Sequence, residues 1–320
     1  MSDHLGNPLG EQRKLAAGLG YVERTGQQVI RISGPDAKKW LHSLLTQDIL
    51  NLHDGDSTEA LLLTPQGHIE QQLKLVVDGA DLLVVVPVDK SSSLIDWLLK
   101  MRFRNQVEIE TTNLRVFGTF ANIAGKVWKD GYAWDNPKSA RYRLEPAPFG
   151  YQELISDRGP DLEQVGEMAY QALRIAEGRP EIADVDERSL PHEFDWLNSA
   201  VHLSKGCYRG QEAVAKVHNL GHPPRRLALL HFDSGDQLAV KGDEVYYLDK
   251  PAGTVLAGAL HYELGSIALA LLSRATPYLD LTVHSGEARL AAQQQVIVPS
   301  DAGKAANLPR PSAFKLSGKK

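Results

Sequence analysis

Apolar positions recur along this chain with two periods, and each period predicts an element type. Gln28–Ile32, carrying Val29 and Ile32, reads as a strand. Gly34-Pro35-Asp36 then opens a helix, with Pro35 suited to an early helical position and Asp36 to the positive end of the dipole. Leu41, Leu44 and Leu45 mark one face of that helix, which runs out near Gln47–Asp48. Thr58–Thr64 is a strand, Pro65-Gln66-Gly67 a turn, and Ile69–Val77 a strand with Ile69, Leu73, Leu75 and Val77 on one parity. The turn Asp78-Gly79-Ala80-Asp81 leads into a buried strand over Leu82–Val86. No crossover helix fits between these strands, so they form an antiparallel meander.

Ser91-Ser92-Ser93 starts a helix in which Leu94, Trp97, Leu98 and Met101 share one face. Val107–Glu110 and Leu114–Phe120 resume the strands. Residues 121–148 are irregular, rich in Gly, Pro and Trp, and expected to cover one side of the core. Glu163–Ala176 predicts a helix with apolar Val165, Met168, Ala169, Ala172 and Leu173, ending at Gly178 before Pro180. Residues 181–204 are loop-rich, and Lys205–Glu212 leads into a short helix to about Lys216. Gly221-His222-Pro223-Pro224 is a strong breaker, which places a domain boundary between residues 1–222 and 223–320. Leu227–Phe232, Glu244–Leu248, Thr254–Ala259 and Ile267–Leu272 predict a mostly β C-terminal domain. The last twenty residues, rich in Pro, Ser, Lys and Gly, are expected to fray.

Composition narrows the function classes. A chain of 320 residues exceeds the usual size of one domain, and 42% hydrophobic residues exclude a mostly disordered one. The net charge of -5 gives no global argument for nucleic-acid binding. One cysteine excludes an intrachain disulfide and a four-cysteine metal site. The first fourteen residues lack an apolar signal core, and Leu82–Val88 and Ile267–Leu272 are too short to span a bilayer. These features lead to the expectation of a cytoplasmic protein that engages neither membrane nor nucleic acid.

Most motifs for chemistry are missing. There is no glycine-rich phosphate loop, no G-x-S-x-G elbow and no H-E-x-x-H. His218 and His222 have the spacing of two ligands on one helix face, but Gly221 and Pro223 favour a helix end and a structural role. His192 beside Glu193 offers an acid/base pair, with an ordinary loop as the simpler reading. The acidic run Asp184, Asp186 and Glu187 singles out no carboxylate pair.

The densest segment is Lys205-Gly206-Cys207-Tyr208-Arg209-Gly210-Gln211-Glu212. Its glycines permit positive φ and close backbone approach. Lys205 and Arg209 place cations beside Cys207, an arrangement that favours thiolate. Cys207 is thus a nucleophile, a redox thiol, a single ligand to a cluster shared with another protein, or a small buried hydrophobe. No base for a cysteine hydrolase can be chosen among eleven histidines.

This segment resembles the K-G-C-Y-x-G-Q-E signature of the YgfZ-type folate-binding proteins, relatives of the glycine cleavage T-protein that include iron–sulfur assembly factors. The resemblance extends to Gln47-Asp48, to Thr64-Pro65-Gln66-Gly67-His68-Ile69 (with His68 in place of the usual Arg), to Gly150–Leu154 and to Leu173-Arg174-Ile175. In the last segment the family's carboxylate is displaced from Ala176 to Glu177. Gly258 and Ile267–Arg274 resemble the C-terminal barrel. The resemblance implies an α+β fold, with two interleaved antiparallel-sheet and helix subdomains around a central channel and a C-terminal β-barrel-like domain. It also implies tetrahydrofolate, or a one-carbon derivative, in the channel, with Glu153, Arg174 and Tyr151 as binding residues.

One departure concerns activity. The T-protein's transfer Asp matches Leu94 here and its Asn matches Pro87, while Asp89 is out of register. The resemblance therefore argues against aminomethyl transfer and leaves open whether the chain is an enzyme. The expected function is a folate-binding accessory to iron–sulfur cluster assembly or repair, with Cys207 a redox thiol or transient ligand and Lys205 and Arg209 beside it. Partner assembly or client proteins, tRNA-thiolating radical enzymes among them, would complete the chemistry. A folate-dependent one-carbon transferase and a scaffold with a merely structural Cys207 are the alternatives.

Overall fold

A computed structural model describes residues 3–131, 140–143, 149–233 and 237–305. Much of the irregular stretch 121–148, and residues 306–320 of the tail expected to fray, lie outside the described residues.

The chain opens with helix α1 (Pro8–Ala16), where the Asn7 side chain accepts the Gly10 N–H at 2.9 Å as an N-cap. Strand β1 (Gly20–Glu23) follows, then β2 (Gln27–Ser33), helix α2 (Ala37–Leu44), β3 (Ser57–Leu63), β4 (Ile69–Asp78) and β5 (Asp81–Pro87). Helix α3 (Val88–Met101), β6 (Glu108–Thr111), β7 (Arg115–Thr119), β8 (Val127–Lys129), β9 (Gln152–Ser156) and β10 (Glu163–Val165) come next. Helix α4 (Glu167–Ala176), two 3-10 turns (Ile182–Asp184 and Pro191–Phe194), α5 (Trp196–Ser199) and α6 (Gln211–Leu220) lead to the C-terminal strands. These are β11 (Arg225–Phe232), β12 (Glu244–Tyr247), β13 (Lys250–His261), β14 (Gly265–Ser273), β15 (Leu281–Ser285) and β16 (Ala288–Val296).

Two five-stranded sheets share the first part of the chain. The order β3-β4-β5-β2-β6 makes one, and β10-β1-β7-β9-β8 the other. The meander β3-β4-β5 is antiparallel, as expected from its turns. The sequence passes from the second sheet into the first at β2 and returns at β7, so the two are interleaved. The first sheet is covered on both faces. Leu82, Val84 and Val86 of β5 pack with α2 and α3, while Leu83 and Val85 pack with β7 and β9 of the other sheet. That two-sided burial is why Leu82–Val86 reads as an uninterrupted apolar run. The same logic holds in β14, whose Ala268, Ala270 and Leu272 fill the barrel while Ile267, Leu269 and Leu271 face the rest of the protein. Strands β11-β14-β13-β12-β15-β16 close into that barrel.

Several boundaries differ from the sequence reading. Helix α2 begins at Ala37 and ends at Leu44, short of Gln47–Asp48, because Leu45 turns extended. Helix α3 begins at Val88, so the three serines lie within it. Glu163–Val165 is a strand pairing in parallel with β1, and the helix starts only after Gly166. Strand β8 lies inside the stretch expected to be irregular. Helix α1 and strands β15 and β16 were not expected. β16, ARLAAQQQV, carries alanines and glutamines of low strand propensity.

Candidate functional site

Between the two sheets, α4 and the loop 178–199 lies a narrow cleft with a cavity volume of about 40 Å³. Its position follows from strand parity. Leu73, Leu75 and Val77 of β4 point to the α2/α3 core, so Gln72, Lys74 and Val76 point the other way. Lys74 is therefore a buried cation on a strand face that is otherwise packed. Its Nζ lies 2.6 Å from Glu153 Oε1 and 4.5 Å from the centre of the Trp128 ring.

Glu153, on β9, is fully enclosed. Its Oε1 also accepts the Tyr151 hydroxyl at 3.1 Å and a long bond from Arg24 Nη1 at 3.5 Å. Burial, then the Glu153 charge, pushes the Tyr151 hydroxyl well above its ordinary pKa, which keeps it a donor. Glu153 Oε2 accepts a hydrogen bond from no described residue. A buried carboxylate oxygen without a donor is costly and calls for an explanation. Tyr151, Trp128, Phe149 and Tyr170 form aromatic walls beside it, and Arg143 and Arg179 line the same cleft.

Glu181 also lines the cleft and pairs with Arg24. Arg24 lies 3.8 Å over the Tyr170 ring and 2.7 Å from Glu181 Oε1. Burial pushes the Glu181 carboxyl up, but Arg24 and Arg174 outweigh it and hold it well below the usual carboxylate range. Glu59, on β3, is buried against Gln72 and accepts Ser199 Oγ at 2.7 Å, and burial raises its pKa. Strand patterning carried a readable trace of two of these residues: Glu59 and Lys74 are charges inside apolar runs. Arg24, Glu181 and Asp195 gave no local signal.

Three predicted residues share one region, but not one role. Tyr151 lines the cleft and donates to Glu153, which is fully enclosed behind that lining; Arg174 does not line the cleft either. Its guanidinium is buried and fully engaged. It pairs with Asp184 at 2.8 Å and Glu181 at 3.4 Å, and donates to Gln171 Oε1 at 2.6 Å and the Arg179 carbonyl at 3.0 Å. Arg174 thus staples α4 to the loop that follows.

The cysteine segment lies elsewhere. Lys205 and Tyr208 are buried, while Gly206 and Cys207 are exposed. Cys207 is therefore not a packed core residue. The flanking cations have partners of their own. Lys205 Nζ donates to the carbonyls of His42, Leu45 at 2.6 Å and Gln47 at 2.9 Å, capping the C-terminal end of α2. Burial lowers its pKa to about 8. Arg209 pairs with Glu70 at 2.6 Å and lies over the Trp97 ring.

Within this segment glycine has a definite task only at Gly210. Its φ is +86°, and a Cβ there would sit 2.6 Å from the Thr64 carbonyl oxygen. The Cys207 loop is thereby seated on the Thr64–Gly67 turn, joining two motifs far apart in sequence. At Gly206 the space is open and φ is not positive.

The remaining candidates are structural. His192 is buried with Nε2 at 3.1 Å from the Val214 carbonyl, and Glu193 is paired with Arg225 of the barrel at 2.8 Å. His218 meets the Tyr142 hydroxyl at 3.0 Å, and His222 the Ala302 carbonyl at 2.8 Å. No group of three or more metal-ligating side chains occurs among the described residues. Leu94, matched to the transfer Asp, is buried in the α3 core, and Asp89 is exposed in the first turn of that helix.

No family model matches the chain. Among curated proteins it is 26% identical over 276 residues to a chloroplastic protein of Arabidopsis thaliana named as a candidate transferase, covering 74% of this chain and 62% of that one. It is 26% identical over 248 residues to the mitochondrial iron–sulfur cluster assembly factor IBA57 homolog of Pyricularia oryzae, covering 71% and 62%. With the Aspergillus clavatus homolog it shares 28% over 322 aligned positions, covering 79% and 69%. The match thus spans under two thirds of the length of the first two relatives. Among solved structures, the glycine cleavage system aminomethyltransferase T of Bartonella henselae superposes with a TM-score of 0.72 at 16% identity, covering 92% of this chain and 88% of that one. The expectation of a cytoplasmic protein does not stand, because the assembly-factor relatives are mitochondrial proteins. The absence of a long apolar helix among the described residues carries no information about compartment. The chain is thus similar in sequence to IBA57-type iron–sulfur cluster assembly factors and has the fold of aminomethyltransferase T, with a closed six-stranded C-terminal barrel.

Proposed function

We propose that this protein binds tetrahydrofolate, or a one-carbon derivative, in the central cleft and serves iron–sulfur cluster assembly or repair in partner proteins. The observation that carries the folate half is the enclosed Glu153, with its unmatched Oε2, bonded to Tyr151 and Lys74 of the aromatic-walled cleft. A reduced pterin presents adjacent ring N–H and amino donors, which suit that oxygen, and flat rings suit Tyr151 and Trp128. Arg143 and Arg179 supply positive charge for the glutamate end of the ligand. Lys74 and Tyr151 would hold Glu153 in place while it binds.

Cys207 carries the other half, as a redox thiol or a transient ligand. Its exposure lets a partner reach it, and a single thiolate requires the partner to supply the other cluster ligands. Lys205 and Arg209, engaged with α2 and Glu70, would hold the loop that presents it. Client enzymes, including radical enzymes that thiolate tRNA, belong to this proposal, as does the division into a folate-type region 1–222 and a barrel domain 223–320.

Calorimetric titration of the full chain with tetrahydrofolate tests the first half. Glu153→Gln is expected to weaken binding about tenfold or more, the value of a hydrogen bond to a charged acceptor. Unchanged affinity in that variant, or no binding to the wild type, would count against it. For the second half, Cys207→Ala should lower cluster-dependent client activity, and full support of clients by that variant would sink the role given to the thiol.

A further inference from the structure

We infer that Asp195 is a second ligand-binding carboxyl of the cleft, accepting an N–H donor from the molecule whose pterin edge Glu153 holds. The inference rests on the folate reading above and adds a contact to it. Asp195 lies between the Pro191–Phe194 turn and α5, on a different element from Glu153. Its backbone is left-handed, with φ 58° and ψ 19°, a conformation sparsely used outside glycine and tolerated by Asp and Asn.

The side chain is 6% exposed and lines the cleft. Oδ1 accepts the Tyr142 backbone N–H at 2.7 Å. Oδ2 accepts from no described residue. The ordinary explanation for an aspartate before a helix is an N-cap, but this side chain makes no capping bond to α5. A bent backbone, full burial and a spare acceptor facing the cleft are the marks of a residue held for a ligand.

The surroundings set what that ligand offers. Tyr142 and Arg143 approach from residues 140–143, and Arg179 from the loop after α4. Glu59, Asp130 and Glu181 line the same cleft, with Glu59 already bonded by Gln72 and Ser199. Burial raises the Asp195 carboxyl to about 6, against the opposing pull of the Tyr142 and Arg143 backbone N–H groups and the charges of Arg143 and Arg179. Above that pH it is an acceptor only, so it selects an amine or amide N–H beyond the pterin edge.

The test uses the full chain, the stable probe 5-formyltetrahydrofolate, and calorimetry from about pH 5 to 8, with Asp195→Asn and Asp195→Gly, both compatible with the left-handed backbone. Thermal melts establish that each variant folds. At neutral pH both variants are expected to bind about tenfold or more weakly. Wild-type affinity should fall as the pH drops below about 6, and that inflection should vanish in the variants. Wild-type binding matched by both variants, with the inflection retained, overturns the role of Asp195 and leaves the folate reading standing. A wild type that does not bind the probe overturns both.

Discussion

Replacing Arg174 separates a structural arginine from a ligand-binding one. Arg174→Met keeps most of the side-chain volume and removes the guanidinium. Asp184, 2% exposed and 2.8 Å from Arg174 Nη1, would then be a buried carboxylate without its partner. The Arg179 carbonyl and Gln171 also lose a donor, and Glu181 keeps only Arg24 and its hydroxyl and amide neighbours. Removing one member of a buried pair costs about 3–5 kcal/mol. Urea unfolding followed by the fluorescence of Trp128 and Trp196, both in the cleft walls, reads that cost as a lower midpoint. Arg174→Met/Asp184→Asn should recover much of it, because no bare charge remains. A loss below about 1 kcal/mol, or weakened folate binding with undiminished stability, would refute the reasoning and return Arg174 to the ligand.

Two further predictions concern the frame around the site. Burial holds His192 neutral, with its pKa lowered to about 4 from the ordinary 6.5. The unfolded chain binds the extra proton between those values, so stability is complete above pH 6.5 and falls toward pH 4, by about 3 kcal/mol for this group. His192→Asn should flatten that limb of a stability–pH curve; an unchanged limb would contradict the assignment. Asp195, with its raised pKa, acts in the opposite sense between about 4 and 6, so the comparison must be made between variants. Gly210→Ala puts a Cβ 2.6 Å from the Thr64 carbonyl at φ +86° and should cost about 2 kcal/mol or more. The expected readout is a melting point several degrees lower, with faster alkylation of Cys207 as its loop loosens; a melting point equal to the wild type's would show that the loop is not seated there.

How much the sequence disclosed depended on how local the governing interaction was. The β3-β4-β5 meander was legible because its turns and parity are local. Gln47-Asp48 looked helical, since nothing nearby announces that Lys205, some 160 residues on, takes the carbonyls of Leu45 and Gln47. Resemblance singles out Glu153 and Tyr151, and a hydrogen bond of 3.1 Å joins them. Resemblance and side-chain type assign Arg174 to a ligand carboxylate, whereas its actual partner, Asp184, lies ten residues away in a loop without a motif. The acidic run that singled out nothing contained that partner and Asp186, which pairs with Arg225. Lys74 could have been read from its parity, as a cation on the second buried face of β4. Asp195 depends on a backbone conformation that composition does not encode.

A crystal structure of the protein with tetrahydrofolate bound would test the central claim most directly. The account predicts one molecule in the cleft, its pterin N–H edge within hydrogen-bonding distance of Glu153 Oε2, with Arg174 still on Asp184 and Cys207 outside the cleft. A ligand seated away from Glu153, or held by Arg174, would contradict it.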